Sequence, residues 1–202
     1  MNTLKKYLAF LFVIILLVST SACQQSKSFV DNPKDNTEKV YELLIPASYM
    51  KCSGLESDEL CNSIISKGKT YATDATVVDN GAKILATQKQ IDNLIKNNND
   101  NTLNFVSSFE DSDEKYKFIG SNDYSVMEFH CDEHLDSQKL FSTIAAVSST
   151  YAFNNILYNK NPEWDVIIKV VNCHTGKTVI EGSILKDDMT INRETWENSY
   201  VN

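Results

Sequence analysis

Apolar residues fall along this chain in three regimes: one unbroken run near the start, a polar gap, and a long stretch of alternating periodicities. The run covers residues 7–18, with Lys5 and Lys6 before it and Ser19-Thr20-Ser21-Ala22 after it. Its 12 residues are too few for a spanning helix, which needs about 20. The order charged, apolar, small is that of an export signal, so residues 1–22 are expected to be a leader that is cut away. Residues 23–38 carry only Phe29 and Val30 as large apolar groups. Such a segment buries no core and reads as a flexible tether.

From residue 39 the pattern is that of a folded domain. Residues 40–45 form a β-rich run stopped by Pro46, the expected first strand. Ser57 is placed to cap a short helix to about residue 66, with Leu60, Cys61, Ile64 and Ile65 on one face. Residues 70–78 and 82–86 read as a hairpin around Asp79-Asn80-Gly81, since both central positions of an Asn-Gly turn accept positive φ. Thr87 and Gln90 have the spacing of a capping box. The helix they open carries Ile91, Leu94, Ile95, Leu103, Val106 and Phe109 in phase. Residues 97–101, Asn-Asn-Asn-Asp-Asn, have poor helix propensity, but the apolar stripe keeps phase across them, so one helix is expected, with room for a kink there.

Two further strands, 115–119 and 126–131, flank a turn at Gly120-Ser121-Asn122-Asp123. A long helix is expected over 135–158, burying Leu140, Phe141, Ile144, Tyr151, Ala152 and Ile156. Residues 164–171 form the most apolar strand, and Thr175-Gly176 turns it into 177–184. Residues 186–202 hold Trp196 and Tyr200 without a firm period. The order β-α-β-β-α-β-β-α-β-β predicts an α+β domain over 39–185. Its expected form is a largely antiparallel sheet of six to seven strands with three helices packed on one face. No repeat of fixed length is visible, so a solenoid is not expected.

Charge alters the view of partners. The formal charge is −8, and removing a leader with two lysines and no acids takes it to −10. A field of that sign repels nucleic acid and anionic headgroups, so no nucleic-acid partner is expected. Gly-x-Ser-x-Gly, Walker, Gly-x-Gly-x-x-Gly and His-Glu-x-x-His motifs are all absent. An enzyme, with a hydrolase as its least unsupported form, is therefore not expected.

Thr20-Ser21-Ala22-Cys23 resembles the lipobox of bacterial lipoproteins, with threonine where that family usually has leucine. The resemblance implies that the Cys23 thiol carries fatty acyl chains such as palmitate and holds the domain on the extracytoplasmic face of the cell membrane. Thr20-x-Ala22 also fits an ordinary signal-peptidase site, which would leave Cys23 unacylated. Other pieces are similar to small lipoproteins of Gram-positive bacteria: Val40-Tyr41-Glu42, Ile45-Pro46-Ala47-Ser48, the Asp79-Asn80-Gly81 hairpin feeding Thr87, and Val170-Val171-Asn172 with Thr175-Gly176-Lys177. That likeness covers residues 38–184 and implies fold and location without an activity.

Cys52, Cys61, Cys131 and Cys173 remain, an even number in an exported chain. Cys52–Cys61 with Cys131–Cys173 is the preferred pairing of three. One helix separates the strand ending at Cys131 from the strand ending at Cys173. The two strands therefore run the same way, and both cysteines fall at one edge. His130, His134 and His174 fall there too. Imidazole with thiolate is a ligand set that suits zinc or copper, and Asp132 and Glu133 are close enough to add carboxylate. A disulfide and a metal site drawing on His130, His134, Cys173 and His174 exclude each other at the cysteines. Three functions follow in order: a tethered module binding a protein, peptide or cell-wall ligand; a metal-binding envelope protein; a hydrolase.

Overall fold

A computed structural model describes residues 38–110 and 116–201. The expected leader, Cys23 and the tether to residue 37 lie outside the described residues, as does Lys115 at the start of one expected strand. The element order is β1 (Val40–Pro46), α1 (Ala47–Ser53), α2 (Ser57–Ser66), β2 (Asp74–Val78), β3 (Gly81–Thr87) and α3 (Gln88–Phe109). It continues with β4 (Lys117–Gly120), β5 (Val126–Cys131), α4 (Ser137–Asn159), β6 (Ile167–Asn172), β7 (Thr178–Ser183) and α5 (Arg193–Tyr200).

The class is α+β, but the strands divide into two sheets, ordered β1-β3-β2 and β4-β5-β6-β7. A single sheet of six to seven strands is not formed, and the described residues hold five helices rather than three. In the first sheet β3 is central, with β1 and β2 as its edges. β3 is paired antiparallel on both sides, Leu43 and Ala75 each facing Ile84, so it offers no free edge to a later strand. The 22 residues of α3 then carry the chain about 33 Å along its axis before β4 begins. Four of the five strand pairings are antiparallel; β5 and β6 are parallel.

The Asn-Gly hairpin is present, though not as the expected turn. Gly81 has φ 137°, while Asn80 is not among the described residues with positive φ. Gly81 is needed for close approach: a Cβ there would lie 2.0 Å from the Ile45 carbonyl oxygen. Directly after Pro46 the chain enters α1, which buries Tyr49 and Met50 and ends at Gly54 with φ 72°, a left-handed cap that glycine adopts without steric cost. The α2 cap is Glu56 rather than Ser57, with the Glu56 N–H donating to Glu59 Oε2 at 3.0 Å. The α3 cap is the expected one. Thr87 N donates to Gln90 Oε1 at 2.7 Å and Gln90 N to Thr87 Oγ1 at 3.3 Å.

Helix α3 runs unbroken through its asparagines because a partner uses them. Asn98 Nδ2 donates to Asn154 Oδ1 at 2.8 Å, and Asn154 Nδ2 donates to Asn99 Oδ1 at 2.9 Å. Asn99 Nδ2 in turn donates to the Tyr124 hydroxyl at 2.9 Å. Asn154 belongs to α4, which is buried on every side from Thr143 to Leu157. Its hydroxyls bond back to carbonyls of the preceding turn, as Thr150 does to Ala146 at 3.2 Å, so polar groups are satisfied without water. Of the six α4 residues expected in the core, Phe141 is only half-buried.

Helix α4 joins the two sheets into one core. It packs on β1 of the first sheet, while its Tyr151 meets Phe118 of β4 edge-on at 5.6 Å. On another side Phe153 lies 5.4 Å from the Tyr49 ring of α1. Phe109 at the end of α3 abuts Phe129 of β5 at 5.6 Å. Each fully buried large side chain of this kind contributes about 1.5–3 kcal/mol. Among the described residues, no helix is long and apolar enough to cross a membrane.

Candidate metal centre

The parallel pairing of β5 and β6 builds one edge from two distant stretches of sequence. The register sets Cys131 against Asn172, and Cys173 N donates to the Cys131 carbonyl at 2.9 Å. Both strands end there, so the loops that follow, opening with Asp132-Glu133-His134 and Cys173-His174, lie side by side. The second loop turns tightly: Gly176 N donates to the Asn172 carbonyl at 2.8 Å. Gly176 itself takes φ 71°.

Asp132 is the anchor of this edge, with only 5% of its surface exposed. Its Oδ1 accepts from the Tyr116 hydroxyl at 2.7 Å and from the His134 N–H at 3.0 Å. Its Oδ2 faces His174 Nε2 at 3.4 Å. Burial alone would raise the Asp132 carboxyl, but the donors from Tyr116, His134 and His174 outweigh it and hold the group below the ordinary carboxylate range. Tyr116 shows the reciprocal effect: burial and the carboxylate beside it both push its phenol up.

His174 is positioned from its own backbone. Its N–H donates to Asn172 Oδ1 at 2.9 Å, and Asn172 Nδ2 donates to Ser199 Oγ at 2.8 Å. Asn172 is fully buried, so a polar chain links the loop to α5. That helix closes the edge a second time, with the Tyr200 hydroxyl donating to the Glu133 carboxylate. The Tyr200 ring also stacks on His174 with centroids 6.4 Å apart.

One ligand atom each from Asp132, Cys173 and His174 lies within 4.8 Å of the other two. Carboxylate, thiol and imidazole are the three donor types that zinc accepts. The other histidines are placed elsewhere. His130 sits on the face of β5 opposite Cys131, with Nε2 3.3 Å from Glu128 Oε2. The His134 side chain is 81% exposed and nearest Glu133, at 3.9 Å; only its backbone reaches Asp132.

Neither expected cystine, Cys52–Cys61 or Cys131–Cys173, is present as a bond. Cys131 is enclosed, and burial, with Cys173 and Asp132 adding, pushes its thiol up to about 12. Cys52 lies half-buried in α1, where burial pushes its thiol up to about 11. Cys61 is buried in α2, its thiol raised chiefly by burial and then by Asp58 and Asp74.

Sequence reasoning found the edge and two of the three clustered residues, Cys173 and His174. It treated Asp132 only as an accessory and missed Tyr116, Asn172 and Ser199. The β4–β5 hairpin register offered one signal: Lys117 pairs with His130, which sets Tyr116 next to the end of β5. The Asn192–Thr195 spacing offered another, since the two form a capping box that starts α5.

No family model matches this chain, and neither a curated protein nor a solved structure matches it.

Proposed function

We propose that this protein is a lipid-anchored domain on the extracytoplasmic face of the cell membrane and works by binding a protein, peptide or cell-wall ligand rather than by catalysis. One observation carries the reading: the 12-residue apolar run, preceded by Lys5 and Lys6, is followed by Ser19 and then Thr20-Ser21-Ala22-Cys23. Two or more acyl chains anchor stably, while one binds only marginally. The polar stretch to residue 38 then gives the domain reach, and β1 begins at Val40. The acidic surface directs such a module toward cationic groups and away from anionic headgroups.

Metabolic labelling with an alkyne-tagged fatty acid, followed by membrane fractionation, tests the reading. The wild-type chain is expected in the membrane fraction with the label, shortened by its leader. Cys23→Ser is expected to lose the label and to leave that fraction on mild washing. A cytosolic chain that keeps its leader overturns the proposal.

A further inference from the structure

We infer that Asp132, Cys173 and His174 bind a single zinc ion at the β5–β6 edge, and that Tyr116 and Asn172 position those ligands without touching the metal. This goes beyond the tethered-module reading and does not depend on it: a chain with Cys23 unacylated would carry the same site.

Several independent observations converge. The three ligand atoms lie mutually within 4.8 Å, and closing their separations by up to about 1 Å would bring each to the roughly 2.0–2.3 Å that zinc requires. Ligand division within Asp132 is already made. Oδ1 is occupied by the Tyr116 hydroxyl and the His134 N–H, while Oδ2 is turned to His174. Hydrogen bonds that orient a ligating carboxylate in this way are the outer-shell support that metal ligands carry. For His174 the support reaches the backbone: its N–H donates to Asn172 Oδ1, and Asn172 is held in turn by Ser199.

The chemistry balances simply. Zinc takes the place of the Cys173 thiol proton, which leaves to solvent, and accepts a lone pair from the neutral His174 ring. The Nε2 proton shared with Asp132 moves to Nδ1 if Nε2 is the ligating atom. Ionised carboxylate plus thiolate neutralise the dication. Three protein ligands leave a tetrahedral ion one open position, available to water or to a donor from a partner. Zinc is favoured over copper because its filled shell accepts an O, N, S mixture without a preferred geometry. Tyr200 and Glu133 stand beside the site and tie α5 across it.

The test uses the full chain, purified in detergent without a histidine tag, reduced and freed of metal by chelator. Cobalt(II) is titrated first, then displaced by zinc. One equivalent of cobalt is expected to give a thiolate-to-metal charge-transfer band, and zinc is expected to remove it. Cys173→Ser should abolish the band. His174→Gln should weaken zinc binding at least about tenfold. Tyr116→Phe should keep the band while lowering affinity by about 10–100-fold, as outer-shell changes do. His130→Gln, His134→Gln and Cys131→Ala should leave the stoichiometry unchanged. A missing band, a band that survives Cys173→Ser, or one lost in Cys131→Ala overturns the assignment. The wild-type chain supplies a second reading that no folding defect confuses: zinc should slow iodoacetamide alkylation of Cys173, read by mass spectrometry, without slowing that of Cys52. Equal alkylation of Cys173 with and without zinc also overturns it.

Discussion

Asp165 shows how one residue of this protein ties stability to pH. Its carboxylate accepts from Ser183 Oγ at 2.7 Å and from the Lys186 ammonium at 2.8 Å. Burial pulls its ionisation upward, yet the Lys186 and Ser183 hydrogen bonds prevail and the group titrates below the ordinary range. A folded value below the unfolded one stabilises the native state above the unfolded pKa, and that gain is lost as pH falls through the folded value. Urea denaturation of wild type and Asp165→Asn across pH should therefore show a gap that is constant near neutrality. The gap should narrow once pH drops below the ordinary carboxylate range. A gap of the same size at every pH would mean that the carboxylate's charge contributes nothing here.

At the scale of elements, the contact between α3 and α4 shows both the reach and the limit of sequence patterning. Apolar phase across residues 88–109 predicts one helix, and one helix forms. Residues 97–101 weaken that prediction because asparagine competes with the backbone for hydrogen bonds. The Asn98 and Asn99 amides instead bond to Asn154, a partner 55 or more positions away that no local pattern reveals. Asn154→Ala strips a buried donor and acceptor at once and should cost about 1–3 kcal/mol, read as a lower urea midpoint. A change inside a few tenths of a kcal/mol would show the network to be dispensable.

The same distinction runs through the other elements. The β3–α3 junction was legible because Thr87 and Gln90 lie three apart and satisfy each other. Helix α1 was hidden because a strand ending in proline looks complete, and its left-handed Gly54 cap was not read. The division into two sheets depends on which edge of β3 each neighbour takes, and alternation within a strand carries no such information. At the β5–β6 edge the topology was legible, since one crossover helix makes β5 and β6 parallel. Which side chains converge was less so, because strand alternation turns His130 away and the loop exposes His134.

Taken whole, the molecule carries a formal charge of −8, and that excess must repel itself across the folded surface. Salt screens exposed charges over about 10 Å at 0.1 M. Its thermal midpoint should thus rise between very low salt and about 0.2 M sodium chloride, measured by circular dichroism. A midpoint that falls over that interval would show that attractive surface pairs outweigh the net repulsion.

Enclosure of α4 has a last consequence. A helix without a wet side between residues 143 and 157 touches both groups of strands, β1 in the first sheet and β4, through Tyr151, in the second. Neither group of strands is a smaller protein in waiting: cut apart, each would be an open half-shell with greasy lining turned to the solvent. Evolution or engineering can therefore trim the rim of this fold, but splitting it down the middle leaves two pieces that must find each other or precipitate.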